Sequence, residues 1–122
     1  MAQPDQADQG RAVVDRDPEL RRRYARDVSH LAATPDAVLR ARSEADVVDT
    51  LKHAASERMA VLAVGAQTST TGASVAVGGG LVLALAGLDS AAQVDVGARL
   101  VRVAPGAILE EVRAAARAEG LQ

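Results

Sequence analysis

The sequence predicts a mixed α/β domain of the α+β class, and three features predict it. Between Ala37 and Val64 an apolar run, an amphipathic helical stretch and a second apolar run follow one another. Strand, helix and strand at that spacing form a βαβ unit, which crosses over right-handed. A third apolar run, Leu81-Val82-Leu83-Ala84-Leu85, follows an uncharged stretch rich in glycine and hydroxyl residues. After Pro105-Gly106 an amphipathic segment predicts a closing helix.

Each element has a local cause. Residues 1–17 are polar with mixed charge and no sustained period, which predicts a mobile tail ahead of a domain over 18–122. Pro18 suits a first helical turn and Asp17 an N-cap, so a short charged helix runs to about Arg26, with Leu20 and Tyr24 facing inward. Ala37 to Ala41 reads as a strand after the turn residues Pro35-Asp36. Ser43 caps the next helix, over 44–58, and Asp46 stands where a capping-box acid would. Val47, Val48, Leu51, Ala54 and Ala55 recur at helical spacing as its apolar face. Val61 to Val64 is a buried strand ended by Gly65.

The triple glycine Gly78 to Gly80 precedes the third strand and reads as a hairpin turn. Val94 to Val96 and Leu100 to Ala104 pair as short strands around Gly97. In the last helix Glu110 and Glu111 occupy early turns, where the helix dipole favours acids. Ile108, Val112, Ala115 and Ala116 form its apolar stripe, and Gly120 its C-terminal cap.

Composition excludes several functions. At 122 residues there is room for one domain, and 27 alanines make its core thin. Aromatic residues at 1% leave no base-stacking platform or aromatic cage. A net charge of −2 argues against nucleic acid as a partner. Without cysteine there is no disulfide, thiolate nucleophile or thiolate metal site. No apolar run is long enough to span a membrane as a helix. Arg21-Arg22-Arg23 is followed by charged residues rather than an apolar stretch, so it reads as a solvated helix face and not as an export signal. The expected location is cytoplasmic by default. His30 and His53 have no carboxylate at ligand spacing and read as surface histidines, so no metal is expected. Asp27 and Ser29 suggest a local hydrogen-bonded turn rather than part of a nucleophilic triad.

The stretch that can carry chemistry is Val64 to Gly72, an uncharged loop directly after a buried strand. Its small residues leave backbone N–H groups accessible, and Thr68, Ser69, Thr70 and Thr71 add hydroxyls. Such a loop can wrap an anion, and a pyrophosphate suits its length and lack of bulk. Gly65 and Gly72 permit backbone angles and close approaches denied to other residues. The other reading is a surface loop whose hydroxyls are merely solvated. A Walker loop is absent, because the sole lysine, Lys52, sits within a helix. No G-x-G-x-x-G opens a helix after a strand, so the dinucleotide fingerprint is also missing.

From about Tyr24 to Gln122 the chain resembles the start of the PCMH-type FAD-binding domain of the vanillyl-alcohol oxidase/p-cresol methylhydroxylase family. The branch it is most similar to holds glycolate oxidase subunits and D-lactate dehydrogenases. Four collinear segments carry the resemblance. They are Tyr24-x-x-Asp27-x-Ser29, Ala37 through Val47, Val64-Gly65-Ala66-Gln67-Thr68-Ser69-Thr70-Thr71-Gly72, and Val101-Arg102-Val103-Ala104-Pro105-Gly106-Ala107-x-Leu109. The third is similar to the family's pyrophosphate loop, usually written Arg-Gly-Gly-Gly-Thr-Ser-Leu-x-Gly. Here the arginine is Val64, and two of the glycines are Ala66 and Gln67.

The resemblance implies FAD as cofactor, in a flavin-dependent oxidoreductase acting on a 2-hydroxy acid or similar alcohol-type substrate. It implies a pyrophosphate cradle from Gly65, Ala66, Gln67, Thr68, Ser69, Thr70, Gly72 and Ala73, with Pro105 and Gly106 as a secondary contact. Some members attach the flavin through a histidine near the third loop position. Gln67 stands there, which implies non-covalent FAD, and its amide can aim at the cofactor or at the loop. The resemblance also implies an incomplete domain, with a second half that packs on this one and a substrate domain still to follow. No catalytic residue is assigned. The alternative is a small non-catalytic binding module, or an inactive remnant, with no cofactor.

Overall fold

The computed structural model describes residues 13–122, so most of the expected tail lies outside the described residues. The elements are α1 (Pro18–Arg23), β1 (Ala37–Arg40), α2 (Glu44–Ser56), β2 (Val61–Val64), β3 (Leu81–Ala84), β4 (Gln93–Asp95), β5 (Leu100–Arg102) and α3 (Leu109–Ala118). The last residues of the expected tail are held in place. Asp15 and Val38 exchange backbone hydrogen bonds of 2.8 Å in an antiparallel bridge, which satisfies groups on the outer edge of β1.

The local signals act as expected. Asp17 caps α1, its carboxylate accepting from the N–H groups of Glu19 and Leu20 at 3.0 and 2.9 Å. Leu20 and Tyr24 pack on the sheet. Ser43 caps α2 by accepting from the Asp46 N–H at 3.2 Å. Asp46 in turn accepts from the Arg42 N–H at 2.9 Å. α3 ends in a Schellman arrangement in which Gly120, at φ 75°, donates to the Arg117 carbonyl and Leu121 to that of Ala116.

Strands β1, β3 and β2 form one parallel sheet in that order, with Val38 and Leu62 both in register with Val82. The central strand β3 is buried along its whole length. Its alternating side chains build two cores. Leu81 and Leu83 join Ala37, Leu39 and Ala41 on one face, and Val82 joins Val38, Val64 and Ala76 on the other. The expected βαβ unit is therefore opened by an inserted strand, since β1 and β2 each pair with β3 and not with each other.

Three sequence expectations are corrected. Gly78 to Gly80 is not a hairpin turn: β2 and β3 run parallel, and parallel strands require a crossover. The glycines end that crossover against β1, where Asp36 accepts from the Gly80 N–H at 2.7 Å. Gly80, at φ 93°, also passes so near the Ala60 carbonyl that a Cβ would lie 2.6 Å from its oxygen.

The inward face of α2 is Asp46, Thr50 and Ala54, with Val47 half-buried, whereas Val48 and Leu51 are 41% and 48% exposed. The buried polar groups are satisfied, because Asp46 holds the Arg42 amide and the Thr50 hydroxyl donates to the Asp46 carbonyl at 2.6 Å. In the stripe of α3, Val112, Ala115 and Ala116 are half-buried, but Ile108 is exposed at the N-cap. β4 and β5 form the expected antiparallel pair.

Candidate functional site

The loop begins at the carboxyl end of β2, the end of a parallel sheet where ligands bind. Gly65 has no positive φ, and a Cβ built on it would meet nothing within 4 Å. The conformational need expected of Gly65 is thus absent, and open space lies beside it. Ala66 also has an ordinary backbone. The left-handed position falls on Gln67, at φ 56°. Gly72 is left-handed too, at φ 84°, and a Cβ there would run into the Leu31 side chain.

Gln67 resolves the two orientations left open by its sequence. Its carboxamide donates to the Arg23 and Arg26 carbonyls at 3.0 and 2.9 Å, tying the loop to the end of α1. Ser69 organises the next turn. Its hydroxyl accepts from the Thr71 and Ala73 N–H groups at 3.2 and 3.1 Å. By contrast, the N–H groups of Ala66, Gln67, Thr68, Ser69 and Thr70 have no hydrogen-bond partner among the described residues. Thr68 and Thr70 are exposed.

The segment after α1 supports the loop from behind. Val28 donates its N–H to the Ser69 carbonyl at 3.0 Å. The Asp27 carboxylate accepts from the Ser29 N–H at 2.9 Å, from the Ser29 hydroxyl, and from the Ser74 N–H at 3.3 Å. The Ser29 hydroxyl holds the Asp27 carboxyl below its ordinary value; desolvation opposes this, while the Ser29 and Ser74 amides and the Ser69 hydroxyl reinforce it. The expected Asp27–Ser29 turn is present, and it reaches further, into the loop itself. Nothing in the sequence marks the Asp27–Ser74 contact, because 47 residues separate the two.

Pro105-Gly106 lies at the same end of the sheet by a short relay. The Val64 carbonyl accepts from the Leu85 N–H at 2.9 Å, and the Gly106 N–H donates to the Leu88 carbonyl at 2.9 Å. A Cβ on Gly106 would stand 2.6 to 2.8 Å from the carbonyl oxygens of Leu85, Ala86 and Leu88, so the close approach requires glycine. A cleft of about 460 Å³ opens beside the carboxyl ends of β1 and β3, between Tyr24, Arg40, Arg42 and Gly87. Its walls come from separate stretches of chain, so no local pattern announces it.

A run of unpaired amides in an uncharged loop of small residues fits a pyrophosphate, which needs donors and close backbone approach rather than bulk. No lysine or arginine lies between Val64 and Gly80, so the loop's own donors are N–H and hydroxyl groups. His30 and His53 are exposed.

No curated protein matches the chain. Among solved structures, the crystal structure of aclacinomycin oxidoreductase shares the fold at a TM-score of 0.70 and 22% identity. The match covers 89% of this chain and 22% of the other, so the chain spans about a fifth of that protein's length. The FAD binding domain family matches residues 35–122, from the start of β1 through α3. The chain therefore belongs to the FAD binding domain family, as the PCMH-type resemblance implied, and its cofactor is FAD.

Proposed function

We propose that this chain holds the pyrophosphate of FAD in the loop 65–73, as part of a larger flavin-dependent oxidoreductase acting on a 2-hydroxy acid or similar alcohol-type substrate. The observation that carries the reading is the run of unpaired amides from Ala66 to Thr70 at the carboxyl end of β2. Bound there, FAD would supply the hydride acceptor, and the protein's part is to bind and orient it. Gly65 leaves room for the phosphates, and Ala66 through Thr70 present donors to them. Gly72 and Ala73 close the loop, with Pro105 and Gly106 as the secondary contact on the neighbouring turn.

Two further features support the reading. Gln67 is engaged with Arg23 and Arg26 and carries no nucleophile toward the flavin, which favours non-covalent FAD. The aclacinomycin enzyme of the same fold is an oxidoreductase, which supports that class for the parent protein. Exposed Val48, Leu51, Leu100 and Leu109 offer apolar surface on which a second half of the domain would pack.

Gly65→Asp tests the loop directly. The added Cβ meets no protein atom within 4 Å and the backbone needs no positive φ, so the fold should survive while a carboxylate is placed beside the loop amides. In the full-length protein, FAD titration followed by flavin fluorescence should show binding weakened by about tenfold or more, which is about 1.4 kcal/mol. Unchanged affinity in the variant would remove the loop assignment. No FAD uptake by the unmutated protein would favour the cofactor-free module.

A further inference from the structure

The face of the loop turned toward the segment after α1 is as ordered as the other side is unpaired. Along that face four hydrogen bonds cross between the two stretches of chain. Gln67 donates to the Arg23 and Arg26 carbonyls, Val28 donates to the Ser69 carbonyl, and Ser74 donates to the Asp27 carboxylate. Asp27 is the only charged side chain among them. One of its oxygens is engaged by the Ser29 amide and hydroxyl, and the other by the Ser74 amide. The Ser69 hydroxyl gathers the Thr71 and Ala73 amides, and the Ser69 carbonyl accepts from Val28, the residue next to Asp27.

This divides the loop's donors into two groups. The amides of Thr71, Ala73 and Ser74 turn to Ser69 and Asp27, and those of Ala66 through Thr70 are left without partners. A backbone held at both ends of such a run keeps its donors in one arrangement before the ligand arrives, and preorganised donors lose less freedom on binding. The carboxylate suits that task because hydrogen bonds to a charged acceptor are stronger than neutral ones.

We propose that Asp27 is the positioning residue of the pyrophosphate loop: by fixing Ser74 from behind, next to the Val28–Ser69 bond, it holds the Ala66–Thr70 amides ready for the cofactor. Asp27 itself makes no contact with FAD in this scheme. The inference rests on the loop's reading as an FAD pyrophosphate site, and the experiment separates the two.

The test uses the full-length protein stripped of flavin, with FAD affinity and melting temperature measured on the same samples. Asp27→Ala should weaken FAD binding about tenfold or more, since it removes charge-assisted bonds to two segments. Asp27→Asn keeps a single neutral carbonyl oxygen, which can accept from Ser74 or from the Ser29 turn but not from both, and replaces the other acceptor with an amide donor. It should recover part of the loss, to within about threefold of the unmutated protein. The absorption band shape of bound flavin should match in all three proteins once saturated, because the ring environment is untouched.

Ser43→Ala serves as the comparison. It removes the α2 cap and lowers the melting temperature by a few degrees, yet should leave FAD affinity within about twofold. Affinity within about twofold for both Asp27 variants would overturn the positioning role while leaving FAD binding in place. An equal loss in Ser43→Ala would reduce Asp27 to general stability. If Asp27→Ala does not fold, Asp27→Asn decides alone. Absence of FAD binding in the unmutated protein would overturn the parent reading, and this inference with it.

Discussion

The Gln67 carboxamide donates to the carbonyl oxygen of Arg26 at 2.9 Å, across 41 residues of chain. Gln67 is also left-handed, at φ 56°, which for a residue with a side chain costs about 1–2 kcal/mol. Its bonds to Arg23 and Arg26, worth about 1 kcal/mol each, offset that strain. Gln67→Gly loses the bonds and the strain together and should stay within about 1 kcal/mol of the original. Gln67→Ala keeps the strain and loses the bonds, and should be less stable than Gln67→Gly by about 1–2 kcal/mol. Urea denaturation checks this: equal midpoints for the two variants would mean that the left-handed strain is absent, and an unchanged midpoint in Gln67→Ala would mean that the tether adds nothing.

Two glycines at the carboxyl end of the sheet should respond oppositely to a methyl group. At Gly106 the methyl would lie 2.6 Å from the Leu85 carbonyl oxygen, so Gly106→Ala should cost about 1–3 kcal/mol. At Gly65 it would meet nothing within 4 Å, and Gly65→Ala should lie within about 0.5 kcal/mol of the original. Equal stability of both variants by chemical denaturation would contradict the packing of Gly106 on the 85–88 turn.

Acid should loosen the loop through Asp27. Its carboxyl lies below the ordinary 3.8 when folded. A carboxyl lowered on folding contributes stability that is present above the unfolded value and lost as pH falls through the folded one. Hydrogen-exchange protection of the Ser74 amide should therefore hold from pH 7 to about 5 and decline only below 3.8. Asp27→Asn should lack that acid step. An identical acid profile in both proteins would show that Asp27 does not hold Ser74.

The outward face of α2 predicts the behaviour of the isolated chain. With Val48 and Leu51 41% and 48% exposed, the 122-residue segment should self-associate at high concentration. The double substitution Val48→Glu, Leu51→Lys should reduce that association in sedimentation velocity and change monomer stability by less than about 1 kcal/mol. A loss of several kcal/mol would place these side chains in a core instead. On the proposal that a second half of the domain completes the site, FAD binding by the isolated segment should be weak or absent, because part of a site supplies only part of the interaction energy.

What the sequence discloses divides by range. Asp17 and Ser43 cap helices through residues two or three positions away, so their roles are legible from the residues alone. The apolar runs at 37, 61 and 81 mark the strands for the same reason. The strand order escapes this reading, because the pairing of β1 with β3 joins segments more than 40 residues apart. Helical periodicity in α2 places Val47 and Ala54 correctly but takes in Val48, Leu51 and Ala55, which are exposed, and passes over the hydrogen-bonded Thr50 and Asp46 that complete the inward face. In the loop, residue types suggested an anion cradle, whereas the direction of Gln67 depended on where α1 ends.

The inserted strand also sets a timetable. β1 and β2 share no hydrogen bonds, so a growing polypeptide that has reached Gly80 has made two of the three strands and still has no sheet. Four more residues complete β3, join both strands at once and bury the chain's most enclosed side chains. The loop between β2 and β3 gains its second fixed end at that same moment. During synthesis, the framework of the loop should therefore be set in a single step when β3 leaves the ribosome, rather than growing in with each residue of the loop.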